Sequence, residues 1–352
     1  MIKRKKTKKI RVGNIYIGGN APIPVQTMVK ADAHDVKAVV KQIKQSEEVG
    51  CDMTRMNVLD MESVKNFSKI KKQIKIPIVA DIHINYLWAI EAIKQRVDKL
   101  RINPGNIGGI DKVKKIVKLA KQREVPIRIG VNAGSLEKDL LEKYGGHPKA
   151  KAMVESASRH IKILEDLGFD KIVVSLKASD IKLMTKAYKL FSKKYDYPLH
   201  LGVTEAGTPW MGTIKSSIGI GSLLLAGIGD TIRVSLTGDS REEIKTGKEI
   251  LKHLGLYQGP ILISCPTCSR TQYNMVSLAN KIEKYLDTIK KPIKVAVMGC
   301  VVNGPGEAKE ADVGIAGGKG TGALFVKGKV IKTVKEEDMC KELKKMIKKI
   351  IK

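Results

Sequence analysis

The stretch "IPIVADIHINYLWAIEAIKQRVDKLRINP", Ile76–Pro104, decides the fold. Two short runs rich in β-branched residues, IPIVADI and KLRINP, flank a segment whose apolar residues recur at helical spacing. Strand, helix and strand in this order make a βαβ unit, whose two strands run parallel. The same unit repeats in both directions along the chain. PVQTMV and MTRMNV lie upstream; PIRIGVN, KIVVSLK, LHLGVTE and TIRVSL lie downstream. Amphipathic stretches such as DVKAVVKQIKQSEEVG and AKAMVESASRHIKILEDLG separate them. Eight strand–helix units predict an α/β fold of the (β/α)8 TIM-barrel type. A doubly wound sheet would use fewer strands and carry a glycine fingerprint after its first strand, and none is there. The opening KKIRVGNIYIGGN reads as a small hairpin against the barrel floor.

The alternation stops at GLYQGP, Gly255–Pro260. Beyond it, ILIS, IKVAVMG, ADVGIAGG, GALFVKG and KVIKTV cluster as strands between two helices, the pattern of a smaller α+β domain. The expected division is residues 1–258 for the barrel and 259–352 for the second domain. The last helix, EEDMCKELKKMIKKIIK, gathers Met339, Leu343, Met346, Ile347, Ile350 and Ile351 on one face, which reads as a docking face and not a membrane anchor. VGIAGGKGTG resembles a phosphate-binding loop, but Val313 and Gly320 stand where that loop needs Gly and Ser or Thr, so a glycine-rich β-turn is expected.

Composition narrows the function. The chain has 352 residues and a net charge of +29. Its lysines are spread along most helices, which reads as the coating of a soluble enzyme and not as a nucleic-acid surface. Aromatic residues make up only 4%, too few for a base-stacking platform. No signal segment or membrane span is expected. Five cysteines, an odd number in a long chain, suit a reducing cytoplasm and metal or cluster ligation rather than a disulfide framework. Cys51 and Cys340 read as ordinary structural thiols.

Strand residues two apart share a face. On that basis polar residues gather near the C-terminal ends of the strands in matched parity: Arg55, Asp81 with His83, Arg101 with Asn103, Arg128 with Asn132, Ser175 with Lys177, and Arg233 with Ser235. Glu205 is read as ending the seventh strand. Charges inside a barrel cost several kcal/mol unless they are paired or face the open mouth, where barrel enzymes bind substrate. Five cations, Arg55, Arg101, Arg128, Lys177 and Arg233, face two anions, Asp81 and Glu205. That excess calls for an anionic ligand, and phosphate or diphosphate fits the fork of arginine.

The second domain holds CPTCSRTQ and, further on, VAVMGCVVNGPGE. Cys265 and Cys268 form a C-x2-C pair, expected at the start of a helix, and Cys300 ends a strand. Structural zinc would want a fourth soft ligand. All six histidines precede residue 254, so only Cys340 is within this domain to supply it. A [4Fe–4S] cluster needs less: three thiolates hold three irons, and Glu307 is placed to offer the fourth a more readily displaced oxygen.

CPTCSRTQ, VAVMGCVVNGPGE, RINPGN, GVTEAG and PVQTM together resemble the bacterial 4-hydroxy-3-methylbut-2-enyl diphosphate synthase family, in its two-domain form. Ser269 departs from the expected CPxCGR pattern, outside the ligand positions. The resemblance implies reductive ring opening of 2-C-methyl-D-erythritol 2,4-cyclodiphosphate, with a [4Fe–4S] cluster held by Cys265, Cys268, Cys300 and Glu307. It implies ferredoxin or flavodoxin as electron donor and a homodimer whose active site is shared between chains, with no nucleic acid and no membrane involved. On this reading Glu205 donates a proton to the departing oxygen, Asn303 sits beside the cluster, and Thr204 joins the barrel residues that hold substrate.

Overall fold

A computed structural model describes residues 2–300, 306 and 308–351 of the chain. It divides into two compact units, Met1–Tyr257 and Gln258–Lys352.

The first unit opens with an antiparallel hairpin, β1 (Ile10–Val12) and β2 (Ile15–Ile17). Val12 and Ile17 are fully buried against Met53 and Val79, so the hairpin closes the N-terminal end of the barrel. The barrel strands are β3 (Gln26–Met28), β4 (Met53–Asn57), β5 (Ile78–Asp81), β6 (Lys99–Ile102), β7 (Ile127–Asn132), β8 (Ile172–Lys177), β9 (His200–Leu201) and β10 (Thr231–Ile232). The first six form one parallel sheet, and the last two pair with each other. Single parallel bridges, Val174 with Leu199 and Val25 with Ile232, join the two sheets and close the barrel. The runs read as LHLGVTE and TIRVSL therefore contribute only two ladder residues each.

Helices α1 (Val36–Glu48), α2 (Met61–Lys71), α3 (Tyr86–Lys94), α4 (Gly109–Gln122), α5 (Lys138–Lys143), α6 (Ala150–Asp166), α7 (Ile181–Lys194), α8 (Pro209–Leu225) and α9 (Ser240–His253) return the chain from strand to strand. Their starts are written in side chains. Asp35, Asp60, Asn85, Asp180 and Asp239 each accept a backbone N–H of the helix that follows. Asp60 and Ser63 do so reciprocally, as a capping box. The apolar face of each major helix and the outward residues of the strands share one core, in which Phe67, Ile116, Ile161 and Phe191 are fully buried.

In the second unit, β11 (Pro260–Ser264), β12 (Ile293–Met298), β13 (Val313–Gly317), β14 (Thr321–Val326) and β15 (Lys329–Lys335) form one sheet in that order. The first three strands are parallel and the last three antiparallel. Helix α10 (Met275–Leu286) and the last helix, α11 (Met339–Ile351), pack on it through Leu278, Ile282, Met339, Leu343 and Ile347. The docking face read from the sequence is thus internal to this unit. VGIAGGKGTG is the β13–β14 hairpin, with Gly317 opposite Gly322 and Gly320 in the left-handed region at φ +67°.

Candidate active site

The strand register sorts the inward side chains into tiers of four, each tier drawn from alternate strands. Lowest are Met53, Lys99, Val173 and Thr231. Next come Gln26, Val79, Arg128 and His200, then Arg55, Arg101, Ser175 and Arg233. Above them stand Met28, Asp81, Gly130 and Gly202. The mouth is finished by Asn57, Asn103, Lys177 and Ser235, with His83, Asn132 and Thr204 at the rim. The two glycines make room: a Cβ on Gly130 would collide with the Arg101 guanidinium, and one on Gly202 with the Lys177 amine.

These tiers enclose a cavity of about 110 Å³ lined by Arg55, Asp81, His83, Arg101, Arg128, Asn132, Ser175, Lys177, Thr204, Arg233 and Ser235. Among the described residues Asp81 is the one carboxylate in the lining. Its Oδ2 lies 3.4 Å from Arg55 Nε, and its Oδ1 lies 3.3 Å from Arg101 Nη1. Burial works against the Asp81 charge, yet Arg55, the His83 ring and Arg101 hold its carboxyl far below the usual range. Arg101 also meets His83 Nδ1 at 3.0 Å and donates to Gly130 O at 3.1 Å. Arg233 is held more loosely, 3.9 Å from Oε1 of the buried Glu243 on α9. Glu243 itself accepts from Leu236 N and Thr27 Oγ1, across the seam where β10 meets β3.

Arg128 and Lys177 differ from these. Arg128 is 1% exposed, and all three of its guanidinium nitrogens lack a hydrogen-bond partner among the described residues. Burial, then the nearby Arg55 and Arg101, push its pKa well below the ordinary arginine value. Burial, then Arg233 and Arg128, do the same to Lys177. Burial brings Arg55 down to about 10, opposed by its pairing with Asp81. An arginine does not shed its proton at working pH. The cavity is therefore a cluster of like charges short of counter-charge, and an anion of two or more charges is what stabilises it.

Of the residues expected to hold substrate, ten line the cavity and Asn103 does not. Its Oδ1 accepts the Gly130 N–H at 3.0 Å, tying the end of β6 to β7. Glu205 also lies outside the lining. It follows Thr204 beyond the short β9, is exposed, and takes a left-handed backbone at φ +52°, uncommon for a residue with a side chain. Sequence reasoning missed Lys99 and His200, although they share parity with Arg101 and Thr204 above them, and it missed Gln26. It also missed Glu243, which only the tertiary fold brings to Arg233.

In the second unit, Cys265 directly follows β11, and Cys300 follows β12 by two residues. The two strands are parallel neighbours, Ser264 opposite Val297, so both thiols stand at the same edge of the sheet. Gly299 N–H donates to Cys265 Sγ at 3.0 Å. A Cβ at Gly299 would stand 2.7 Å from Thr271 Oγ1 and 3.4 Å from that sulfur, so the backbone approaches the thiol as closely as a glycine allows. Cys268 is exposed, and the Arg270 backbone N–H, outweighing slight burial, lowers its pKa from the ordinary thiol value. The helix that follows begins at Met275, later than the sequence suggests, so the C-x2-C pair lies in the loop before it. Among the described residues no three Cys, His, Asp or Glu side chains converge as they would on a single ion. Cys340 packs with the apolar core beneath the sheet. Cys51, buried and donating to Met53 O, is pushed up to about 12 and is inert. Asn303 and Glu307 lie outside the described residues.

Three soft thiols on neighbouring strand ends and loops, one receiving a backbone N–H and one biased toward thiolate, fit an iron–sulfur group by donor chemistry. The fold and site define a barrel enzyme for an anionic, phosphate-bearing small molecule, with a thiol-bearing α+β unit after it. The chain matches the family models described as GcpE TIM-barrel domain, over residues 7–248, and GcpE protein C-terminal domain, over residues 261–349. It belongs to that family. Relatives named 4-hydroxy-3-methylbut-2-en-1-yl diphosphate synthase (flavodoxin) include one from Clostridium perfringens, 58% identical over 99% of both chains. Another, from Caldanaerobacter subterraneus, is 58% identical over 100% of this chain and 99% of its own. Among solved structures, a dihydropteroate synthase from Stenotrophomonas maltophilia aligns with a TM-score of 0.52 at 12% identity, covering 71% of this chain and 98% of its own. That likeness shows the barrel fold alone.

Proposed function

We propose that the barrel cavity holds 2-C-methyl-D-erythritol 2,4-cyclodiphosphate by its phosphoryl groups, and that the chain converts it to 4-hydroxy-3-methylbut-2-enyl diphosphate. The observation that carries the reading is Arg128: a fully buried guanidinium with no partner among the described residues, beneath four further cations and one carboxylate. Two C–O bonds break in this reaction. One opens the ring and leaves the diphosphate one negative charge richer; the other releases the hydroxyl, which takes a proton and departs as water. Two electrons enter.

Arg55, Arg101, Arg128, Lys177 and Arg233 clamp the diphosphate, and His83, Asn132, Thr204 and Ser235 at the rim orient the sugar-derived hydroxyls. Asp81 holds Arg55 and Arg101 in place, and Ser175 adds a hydroxyl to the floor. Glu205 is the proton donor to the departing hydroxyl. The family carries a [4Fe–4S] cluster. Cys265, Cys268, Cys300 and Glu307 would hold it, with Asn303 next to it, and when bound it supplies single electrons and a Lewis-acidic iron. The barrel, residues 1–258, is the substrate-binding domain on this reading, and residues 259–352 are the cluster domain.

The electron donor is a flavodoxin or a ferredoxin, and the names of the relatives support flavodoxin. No helix among the described residues is long and apolar enough to cross a membrane. We place the enzyme in the cytoplasm on its five free thiols. We also propose that it works as a homodimer with an active site shared between chains. The support is α8, which exposes Trp210, Met211, Ile214, Ile218 and Leu225 along one helix. The test of the function is an anaerobic assay with the cyclodiphosphate and a one-electron reductant. Appearance of the allylic alcohol diphosphate supports it, and unchanged substrate over iron- and sulfide-replete enzyme refutes it.

A further inference from the structure

Lys99 is fully buried in the lowest tier of the barrel, among Met53, Val173 and Thr231. Its amine has one contact in hydrogen-bonding range among the described residues, Met53 Sδ at 3.3 Å. The carboxylate nearest in sequence, Asp98, faces the other way: its Oδ1 pairs with Lys71 at 2.6 Å and its Oδ2 accepts Ile78 N–H. The tier above brings Arg128 and His200 and the next brings Arg55, with no carboxylate in any of the three. Burial and then the cations of Arg128 and Arg55 disfavour the ammonium form, only weakly opposed by Asp98. A lysine in an apolar tier beneath arginines gives nothing to packing that methionine would not. Unlike arginine, it is also a group that can change charge.

We propose that Lys99 is a charge-compensating residue that takes up a proton when the cyclodiphosphate fills the cavity above it. The inference rests on the reading of that cavity as the diphosphate site. The ligand's negative charge offsets part of the positive field that disfavours the ammonium, and the extra charge created by ring opening strengthens the same effect in the product complex. Lys99 touches neither substrate nor reacting atoms; it acts through Arg128 and Arg55, by setting how many positive charges lie behind them.

The cyclodiphosphate suits the test because each phosphoryl group carries one strongly acidic oxygen and does not titrate near neutrality. Calorimetric binding to the enzyme without reductant, in buffers of different ionisation enthalpy, counts the protons exchanged. Wild type is expected to take up on the order of one proton per site, with Kd rising by up to about tenfold per pH unit through the neutral range. Lys99→Met, which matches its tier in volume, is expected to bind without proton uptake and with a flat pH dependence. Should that variant fail to fold, the wild-type measurement still decides: a pH-independent Kd overturns the proposal. Uptake that survives Lys99→Met would move the role to His200 or to Lys177, told apart by His200→Gln and Lys177→Met, and overturn it for Lys99. No binding to wild type at all would refute the cavity's reading, and the lysine's role with it.

Discussion

Arg55 Nε and Asp81 Oδ2 lie 3.4 Å apart on neighbouring strands, both side chains close to fully buried. Asp81 also faces Arg101 at 3.3 Å, so one carboxylate steadies two guanidinium groups. Removing one partner of a buried ion pair leaves uncompensated charge. Asp81→Asn is therefore expected to destabilise the ligand-free protein by about 3 kcal/mol, seen as a lower Tm. Cyclodiphosphate should restore part of the loss. The acid side carries a second signature. Because the folded-state pKa of Asp81 is depressed, its stabilisation is present above the unfolded-state value of about 4 and is lost as pH falls below that toward the folded value. The variant should lack this component of acid destabilisation, and an unchanged Tm and acid profile would mean that Asp81 is not the counter-charge.

Arg128 predicts the opposite split. Its guanidinium is buried without a partner among the described residues, so in the free protein it is a cost. Arg128→Met should leave Tm unchanged or raise it, by an amount corresponding to about 1 kcal/mol or more, as apolar replacement of buried charge does elsewhere. The same variant should raise KM for the cyclodiphosphate at least tenfold, the loss of one charge-assisted bidentate contact. A variant less stable with unchanged KM would show that Arg128 serves the fold.

The thiol site makes a prediction readable without turnover. Gly299 lies against Cys265 Sγ and Thr271 Oγ1 with no room for a Cβ. Gly299→Ala should displace the N–H that now points at the sulfur and reduce bound iron and acid-labile sulfide severalfold in anaerobically purified protein. Cys340→Ser, within the core of α11, should leave both unchanged. Loss of iron in Cys340→Ser would place that thiol among the ligands.

Much of this was legible in the sequence, because a barrel strand has period two and its polar positions break an otherwise apolar run. All eight strands, five cavity cations and Asp81 follow from that rule. The limits have physical causes as well. LHLGVTE shrinks to His200–Leu201 as a ladder, and beyond it Gly202 has no Cβ to meet Arg233 O and the Lys177 amine. The period of two carries on from His200 through Gly202 to Thr204, which puts Thr204, and not Glu205, in the lining. Lys99 was in view as the first residue of KLRINP, but a charged residue at the N-terminal end of a strand reads as solvent-facing. Only the hairpin of β1 and β2, closing the floor over Met53 and Val79, buries that end. Glu243 leaves no trace in a local pattern, since its partners Thr27 and Arg233 lie on strands far apart in the chain.

The proposed shared-site homodimer can be tested without interface geometry. Consider Arg128→Met, disabling the barrel cavity, and Cys300→Ser, disabling the thiol site. Assayed at cyclodiphosphate well below the raised KM, each variant alone should show little activity as a homodimer, since every site it forms carries its lesion. If a site takes its barrel from one chain and its thiols from the partner, a mixed dimer concentrates both lesions in one site and leaves the other intact. With random pairing of co-expressed chains, half of the dimers are mixed and half of their sites are good, giving about a quarter of wild-type activity. If each chain completes its own site, every site in the mixture carries one lesion and no activity returns. Stripping the exposed face of α8, by Ile218→Lys with Leu225→Lys, separates the two requirements. If α8 is the pairing face, that double variant should run as a monomer in sedimentation and lose turnover while keeping its iron. A monomer that stays fully active would end the shared-site proposal, whatever the mixing experiment gave.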